Sequence, residues 1–370
     1  MQIAVNAACL RRDMPADTGR VTTEIIIAMC RQQPGHQFTF FFDGGVPEGI
    51  KFPANVKPVV LPLTGNRQWD RYWWLEWKLP RALKALQADY YIGLESALPL
   101  RSKVPATLLV RDLSFTKGAG LQPAAVQSSL KKNILRYFDR ARRIVVLSST
   151  AGDEVKRVSP AAAEKLVKLE PAVSEIYRPL EWEDREAAKK EFSGGVEYFL
   201  VTGSMHPRNN IMPVLKAFSA LKKRQRTNLR LVIAGSATAA GAEIATALET
   251  FKFRQDVVWL KDLDEAALAR ATAAAYALIY PTRFDGLAYP VLAAARCGVP
   301  VVALEGVAVR EAGGDAVLYT DPANIDDLAE KMSVLYKDEQ LRSRLLAQEP
   351  PVKPASDWEL AATTLWSAIS

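Results

Sequence analysis

Short apolar runs alternate with longer amphipathic stretches along this chain, the alternation occurs in two series, and a proline-containing segment at residues 172–180 divides them. These observations predict an α/β protein of two doubly wound, Rossmann-like domains, each a parallel sheet linked by crossover helices, facing one another across a cleft. At 370 residues the chain is too long for one compact core and suits two domains of roughly 150 residues or more each.

In the first series the strand candidates are residues 1–6, 37–42, 56–61, 90–94, 107–110 and 144–147. They are rich in Val, Ile, Phe and Tyr, and continuous rather than alternating, as strands covered on both faces should be. Helical period falls at residues 21–31, 69–86 and 126–140. The second series begins after Tyr177-Arg178-Pro179, with strand candidates at 198–201, 229–234, 257–260, 276–280, 299–303 and 316–319. Between its first two strands, residues 211–222 place Val214, Leu215, Phe218 and Leu221 on one stripe. In open sheets of this kind ligands bind beyond the carboxyl ends of the strands, so the site is expected in the loops just past them.

Composition narrows the classes of function. A hydrophobic share of 49% and a charged share of 24% are those of an ordinary soluble protein. Cys9, Cys30 and Cys297 are widely spaced and odd in number, which argues against a disulfide framework or zinc site and fits a reducing compartment. Two histidines, His36 and His206, are too few for a multi-histidine metal centre. The first residues lack the basic and apolar pattern of a signal peptide, and no window approaches the ~18 apolar residues of a membrane span. A cytoplasmic protein is expected. The net charge of +7 favours anionic partners such as nucleotide phosphates or an anionic membrane face. Zinc-finger spacing and RNA-binding aromatic signatures are missing, so nucleic acid is not expected as a partner.

Two post-strand loops carry the chemistry. Residues 198–201 lead into Thr202-Gly203-Ser204-Met205-His206-Pro207-Arg208-Asn209-Asn210 and then a helix. Gly203 lets the backbone turn tightly against a ligand, and N–H groups at the helix start beside Arg208 make a diphosphate site. The alternative is a polar strand-to-helix turn with Asn209 or Asn210 as N-cap. His206 is placed to donate to a donor phosphate from this loop, although a lone loop histidine is more often just exposed, and that is the reading favoured here. Residues 276–280 lead into Pro281-Thr282-Arg283-Phe284-Asp285-Gly286-Leu287-Ala288-Tyr289-Pro290. There Asp285 is placed to accept hydrogen bonds from sugar hydroxyls, and backbone N–H groups of Gly286, Leu287 and Ala288 to meet a phosphate.

Residues 281–302 resemble the signature segment of family 4 glycosyltransferases of the two-domain GT-B fold, usually Pro-Ser-x-x-Glu-Gly-Phe-Gly-x-Pro-x-Leu-Glu-Ala. Other parts agree in order: the Asp17-Thr18-Gly19-Arg20 loop after the first strand, Arg111-Asp112-Leu113 where the family has His-Asp-Leu, the loop from Gly203 to Asn210, Glu311-Ala312-Gly313-Gly314-Asp315-Ala316, and Ser356-Asp357-Trp358-Glu359 near the end. The resemblance implies retaining, metal-independent transfer of a sugar from a nucleotide diphosphate donor to a glycan or lipid-linked acceptor, in cell-surface or extracellular glycan assembly. No cofactor is implied beyond the nucleotide-sugar donor substrate. The acceptor would sit on residues 1–172 and the donor on residues 173–354, with residues 355–370 crossing back to the first domain. Thr18 and Gly19 would face the donor phosphates.

The departures fall on working positions. The first signature carboxylate is the shorter Asp285, the second, a ribose-binding Glu, is Ala293, and the second glycine is Ala288. The usual lysine of the phosphate loop is Asn209, and the histidine of the first-domain loop is Arg111. Losing one stabilising donor commonly costs a transferase ~100-fold or more in rate. Arg208 remains, and Arg111 is a candidate replacement charge. The rival to an active transferase is a catalytically degenerate homologue that serves as a binding or scaffold subunit, paired with an active relative.

Three further signals have plainer readings. Asp262-Leu263-Asp264 has the form of a metal-binding Asp-x-Asp but directly precedes helical residues 265–274 and reads as a helix cap. Trp69, Trp73 and Trp77, at i, i+4 and i+8 beside Tyr72 and Trp74, are expected to pack on the first sheet, the alternative being a membrane-interface or acceptor-lining face. Lys131, Lys132, Arg136, Arg140, Arg142 and Arg143 read as a solvated basic face, the alternative being an anionic headgroup at the inner face of a membrane or an acidic glycan.

Overall fold

The computed structural model describes residues 1–10, 16–47, 50–63, 65, 68–111, 113–117, 124–261, 263–282, 286–349 and 358–369. The chain divides into two compact units, Met1–Ala172 together with Asp357–Ser370, and Val173–Ser356.

The first unit is built on a parallel sheet of β1 (Gln2–Asn6), β2 (Gln37–Phe42), β3 (Val56–Val60), β4 (Tyr90–Gly93), β5 (Ala106–Val110), β6 (Arg143–Val146) and β7 (Leu166–Lys168). Their spatial order is β3-β2-β1-β4-β5-β6-β7, so the chain starts at the centre, runs to one edge, and returns past β1 to β4. Every residue of β4 and β5 is buried, as helices on both faces require. Strand β3 is an edge strand with exposed Lys57 and Pro58; a proline there withholds no ladder hydrogen bond from a neighbour. The last helix, Trp358–Ile369, lies in this unit against the helix Ala16–Gln32, burying Ala361, Ala362 and Leu365. Gln32 Nε2 donates to the Glu359 carbonyl at 3.0 Å, and the His36 and Trp366 rings meet at 4.8 Å.

The second unit repeats the plan with β8 (Tyr198–Thr202), β9 (Arg230–Ala234), β10 (Val257–Leu260), β11 (Ala277–Tyr280), β12 (Val301–Leu304) and β13 (Val317–Thr320). The order is β10-β9-β8-β11-β12-β13, all parallel, with the reversal of direction between β8 and β11. Helix Ile211–Gln225 buries Val214, Leu215, Phe218 and Leu221, the stripe its sequence period defines, and packs on helix Ile325–Lys337. That second helix is capped by Asn324, whose Oδ1 accepts the N–H groups of Asp326 and Asp327 at 3.0 and 3.2 Å.

Three elements differ from the sequence expectation. Helix Ala16–Gln32 begins five residues ahead of the first apolar-periodic position, so Thr18 and Gly19 lie in its first turns rather than in a loop. Ala-Asp-Thr-Gly-Arg has no apolar period to reveal a helix. Strand β7 spans three residues, too short an apolar run to register. Finally, residues 68–86 form an α-helix Gln68–Trp73, a π-helical turn Trp74–Lys78 and an α-helix Leu79–Leu86. The wider π turn rotates the helix face and changes which indole points inward. Trp74 is buried and donates from Nε1 to the Leu61 carbonyl at 2.6 Å, whereas Trp73 is 54% exposed and Trp77 half-buried. The indole expected to pack on the sheet at position 73 therefore faces outward, and its neighbour Trp74 packs with Leu79 and Leu83 instead.

Candidate functional site

Where a doubly wound sheet reverses direction, the loops beyond the carboxyl ends of the two flanking strands part and leave a crevice. In the second unit those loops come after β8 and β11, the two that carry most of the sequence-predicted site residues.

After β8, Gly203 has φ +115°, in the region that favours glycine, and its N–H donates to the Ala234 carbonyl at 3.0 Å. Buried Ser204 offers its carbonyl to Asn209 Nδ2 at 2.8 Å. Residues 207–209 form a 3₁₀ turn whose N-cap is His206: the Arg208 N–H donates to His206 Nδ1 at 3.1 Å. With Nδ1 accepting, the neutral ring carries its proton on Nε2. Burial, and then the Arg208 charge, lower the His206 pKa, so the ring is neutral at physiological pH. His206 is thus half-buried and engaged, a correction to its reading as an exposed loop histidine.

Asn209 and Asn210 tie this loop to its neighbour. Thr282 Oγ1 donates to Asn209 Oδ1 at 3.3 Å, and Asn210 Nδ2 donates to the Pro281 carbonyl at 2.9 Å. The Asn209 amide, 9% exposed, therefore latches the two loops where the family pattern has a lysine. Asn210 sits at the N-cap of Ile211–Gln225 with φ +47°, but its side chain makes no cap bond, having gone to Pro281.

In the loop after β11, residues 283–285 and hence Asp285 lie outside the described residues. Gly286 and Leu287 are buried. Ala288 adopts φ +53° and ψ +43° at the N-cap of helix Tyr289–Arg296, with Pro290 in the first turn. An alanine thus holds the left-handed conformation that the family's glycine would take freely. Ala293 is buried on the same helix and offers no acceptor. The far side of this helix secures the start of the unit, where Arg296 Nε donates to the Tyr177 carbonyl at 3.0 Å and the Tyr177 and Tyr289 rings meet edge to face at 6.2 Å.

Two glycines enforce this arrangement and escaped the sequence reading. A Cβ on Gly235 would stand 1.9 Å from the Gly203 carbonyl oxygen, and one on Gly241 would stand 1.6 Å from that of Met205. Between them the Met205 N–H donates to the Ser236 carbonyl at 2.8 Å. The available signal was the repeat of a glycine and a serine directly after β8 and after β9.

The remaining sequence-predicted residues belong to the first unit. Arg111 comes directly after β5 and is half-buried, and Asp112 is outside the described residues. Gly19 is buried and its carbonyl accepts from Thr23 Oγ1 at 2.8 Å. At the reversal between β1 and β4 the structure assembles a polar cluster not singled out in the sequence. Asn6 Nδ2 donates to Glu95 Oε2 at 3.4 Å, and Arg71 bridges Glu95 at 3.0 Å and the buried Asp43 at 3.8 Å. Its signal was a polar residue at or just past the end of each of three apolar runs. Of the Asp-x-Asp segment, Asp262 is outside the described residues, and Asp264 Oδ1 accepts the Ala267 N–H at 2.8 Å as a helix cap.

Residues 197–338, within the second unit, match the family described as "Glycosyl transferases group 1". The O-antigen chain mannosyltransferase B of Escherichia coli is 25% identical over 283 residues, covering 76% of this chain and 74% of that protein. Among solved structures, WaaG, a glycosyltransferase involved in lipopolysaccharide biosynthesis, superposes with a TM-score of 0.76 at 16% identity, covering 100% of this chain and 98% of that one. HepE of Anabaena, solved in complex with UDP and glucose, gives a TM-score of 0.71 at 12% identity over 99% of this chain and 98% of its own. The chain has the two-domain GT-B fold, and its relatives support a transferase enzyme. Its relatives support glycosyl transfer. Among the described residues of this transferase, no helix is long and apolar enough to cross a membrane.

Proposed function

We propose that the chain is a retaining, metal-independent transferase of family 4. It moves a hexose from a nucleotide diphosphate donor, bound at the reversal point of the second sheet, to a glycan or lipid-linked acceptor bound by the first unit. The observation that carries this reading is the convergence of the loops after β8 and β11. They flank the crevice on neighbouring strands and are latched together by the Thr282–Asn209 and Asn210–Pro281 hydrogen bonds. Such preorganisation is what a site needs if it is to stabilise charge without reorganising during the reaction. Relatives named as mannosyltransferases make mannose the first sugar to test, and the UDP and glucose bound to HepE make a nucleoside diphosphate the first ligand.

In the proposed reaction the bond from the donor's anomeric carbon to the diphosphate oxygen breaks. A bond from the acceptor hydroxyl oxygen to the same face of that carbon forms, and the hydroxyl proton passes to the departing diphosphate. Arg208 and the His206 Nε2–H are the cation and neutral donor offered to the diphosphate, with the backbone at Gly286, Leu287 and Ala288 completing the cradle. Asp285 would accept from the sugar hydroxyls. The Asn209 amide, engaged with Ser204 and Thr282, positions the loop. The missing charge at that position and the apolar Ala293 favour weak donor binding, and they are what supports the rival scaffold reading.

Calorimetry with UDP, GDP and ADP, and then nucleotide release from the matching sugar donors, tests the proposal. Arg208→Ala should weaken the preferred nucleotide by about 1.5–3 kcal/mol, the scale of a hydrogen bond to a charged group. Saturable nucleotide binding without turnover on any glycan acceptor would favour the scaffold. No binding of any nucleotide would sink both the donor site and the transfer.

A further inference from the structure

At the ligand end of the first sheet one carboxylate is held from two sides and still reaches solvent. Glu95 stands two residues past β4, where the sheet reverses between β1 and β4. Its Oε1 accepts from Arg71 Nη2 at 3.0 Å, its Oε2 accepts from Asn6 Nδ2 at 3.4 Å, and the side chain is 19% exposed. Those are its side-chain partners among the described residues. A carboxylate offers about two acceptor positions on each oxygen, so one on each remains open. The backbone fixes where that carboxylate stands. Ser96 is buried at φ +56°, in the region that favours glycine, and its N–H donates to the Leu109 carbonyl at 3.2 Å. A Cβ on Gly93 would lie 2.8 Å from the Ala97 carbonyl oxygen, so the loop turns back closely over the strand end. Asn6 is 1% exposed and its Oδ1 accepts the Ala8 N–H at 3.1 Å, which turns its amide donors toward Glu95. An ion pair as open as this one, with Arg71 43% exposed, adds little to stability, and its effect is on the position of the carboxylate.

We infer that Glu95 binds a pyranose, its two open acceptor positions taking two neighbouring ring hydroxyls, one on each oxygen. Paired with Arg71, the carboxylate can only accept, so its ligand must bring donors; hydroxyls do, and phosphate oxygens do not. Adjacent hydroxyls on a six-membered ring are spaced to meet the two oxygens of one carboxylate. Hydrogen bonds to an ionised acceptor are the strong ones, and a carboxylate held in advance loses little freedom in making them. Resting on the proposed transfer reaction for this one point, the pyranose is the terminal sugar of the acceptor. Glu95 then determines which of its hydroxyls are engaged, and so which is left to react. The selected ligand is a sugar with a vicinal pair of unsubstituted hydroxyls.

Saturation-transfer NMR on the whole protein, with the methyl α-pyranosides of mannose, glucose and galactose, tests this without any nucleotide. At least one should bind. In the deoxy series of the best of them, loss of either of two adjacent hydroxyls should weaken binding about tenfold, the scale of a hydrogen bond to a charged group. Glu95→Gln keeps the side chain's size and an acceptor for Arg71 but turns one acceptor oxygen into a donor. It should weaken the parent sugar about tenfold and flatten the losses from deoxygenation, the coupling that a double-mutant cycle reads. A residue that only held the loop would leave the ranking of the deoxy sugars as it was. Binding of none of the three pyranosides overturns the proposal, as does a deoxy series with no sensitive adjacent pair. Losses that persist unchanged in Glu95→Gln overturn it too. If that variant does not fold, the wild type's own deoxy series decides. Nucleotide calorimetry separates this result from the donor reading: no nucleotide binding sinks the donor site and leaves the sugar result standing, while normal nucleotide binding with a Glu95→Gln variant that binds sugar as the wild type does sinks only the role of Glu95.

Discussion

Ala288 and His206 show how single residues set this site. At Ala288 three effects oppose one another in Ala288→Gly. Relief of a left-handed alanine gains ~1–2 kcal/mol, while loss of a buried methyl costs ~0.8 and glycine's extra freedom ~0.5–1. The stability change should stay within ~1 kcal/mol by denaturant unfolding, whereas Ala288→Val, branched and left-handed in a buried position, should cost more than ~2. A large loss in the glycine variant would mean that the methyl, not the backbone, holds the loop. At His206 the sign comes from its lowered pKa. Between the folded value and the ordinary value of 6.5 the unfolded chain binds more protons, so this contribution is complete above pH ~6.5 and is lost as pH falls. His206→Asn keeps an acceptor for the Arg208 N–H but cannot titrate. The melting temperature of the wild type should fall relative to that variant as pH drops below ~6.5, then level off once the folded ring protonates. A flat difference would show that the ring is not held neutral.

At the scale of elements, the loops after β8 and β9 interlock through close backbone contacts, with the Thr238 hydroxyl also donating to the Met205 carbonyl. The Gly203 and Met205 carbonyls occupy the space where Cβ atoms of Gly235 and Gly241 would lie. Backbone cannot swing away as a flexible side chain can, so Gly235→Ala must part the two strand ends. We expect a loss of about 2–3 kcal/mol in unfolding and weakened nucleotide binding, with the first unit unaffected. A stable variant with normal affinity would mean that the two loops give more easily than their contacts indicate. Asn209→Ala probes the adjoining latch. It strands the Ser204 carbonyl and Thr282 hydroxyl in a buried place, at a cost of about 1–3 kcal/mol.

For the whole molecule, the chain leaves its first unit at Ala172 and ends in it again. Helix Trp358–Ile369 buries Leu365 and Ile369 against the first unit, each worth ~1.5–3 kcal/mol. Truncation before Trp358 should lower the stability of the first unit by several kcal/mol while sparing that of the second. Scanning calorimetry would then show the first unit's transition lowered and the second unit's unmoved. One common shift of both would mean that the units unfold as one.

The α/β class, most of the strands, the two post-strand loops of the second unit and the resemblance to a transferase family were all legible in the amino-acid order alone. Those features rest on period and on local glycine and proline chemistry, which a linear reading sees. It missed β7 and the start of helix Ala16–Gln32, where too few apolar positions exist to show a period. Other features depend on neighbours distant in sequence and emerge only from the packed fold. The Asn6–Arg71–Glu95–Asp43 cluster joins four segments, and the Asn209 amide finds Thr282 only because β8 and β11 lie side by side. The indole that packs is Trp74 rather than Trp73 because one π turn shifts the helix face, and no spacing rule for an α-helix contains that shift.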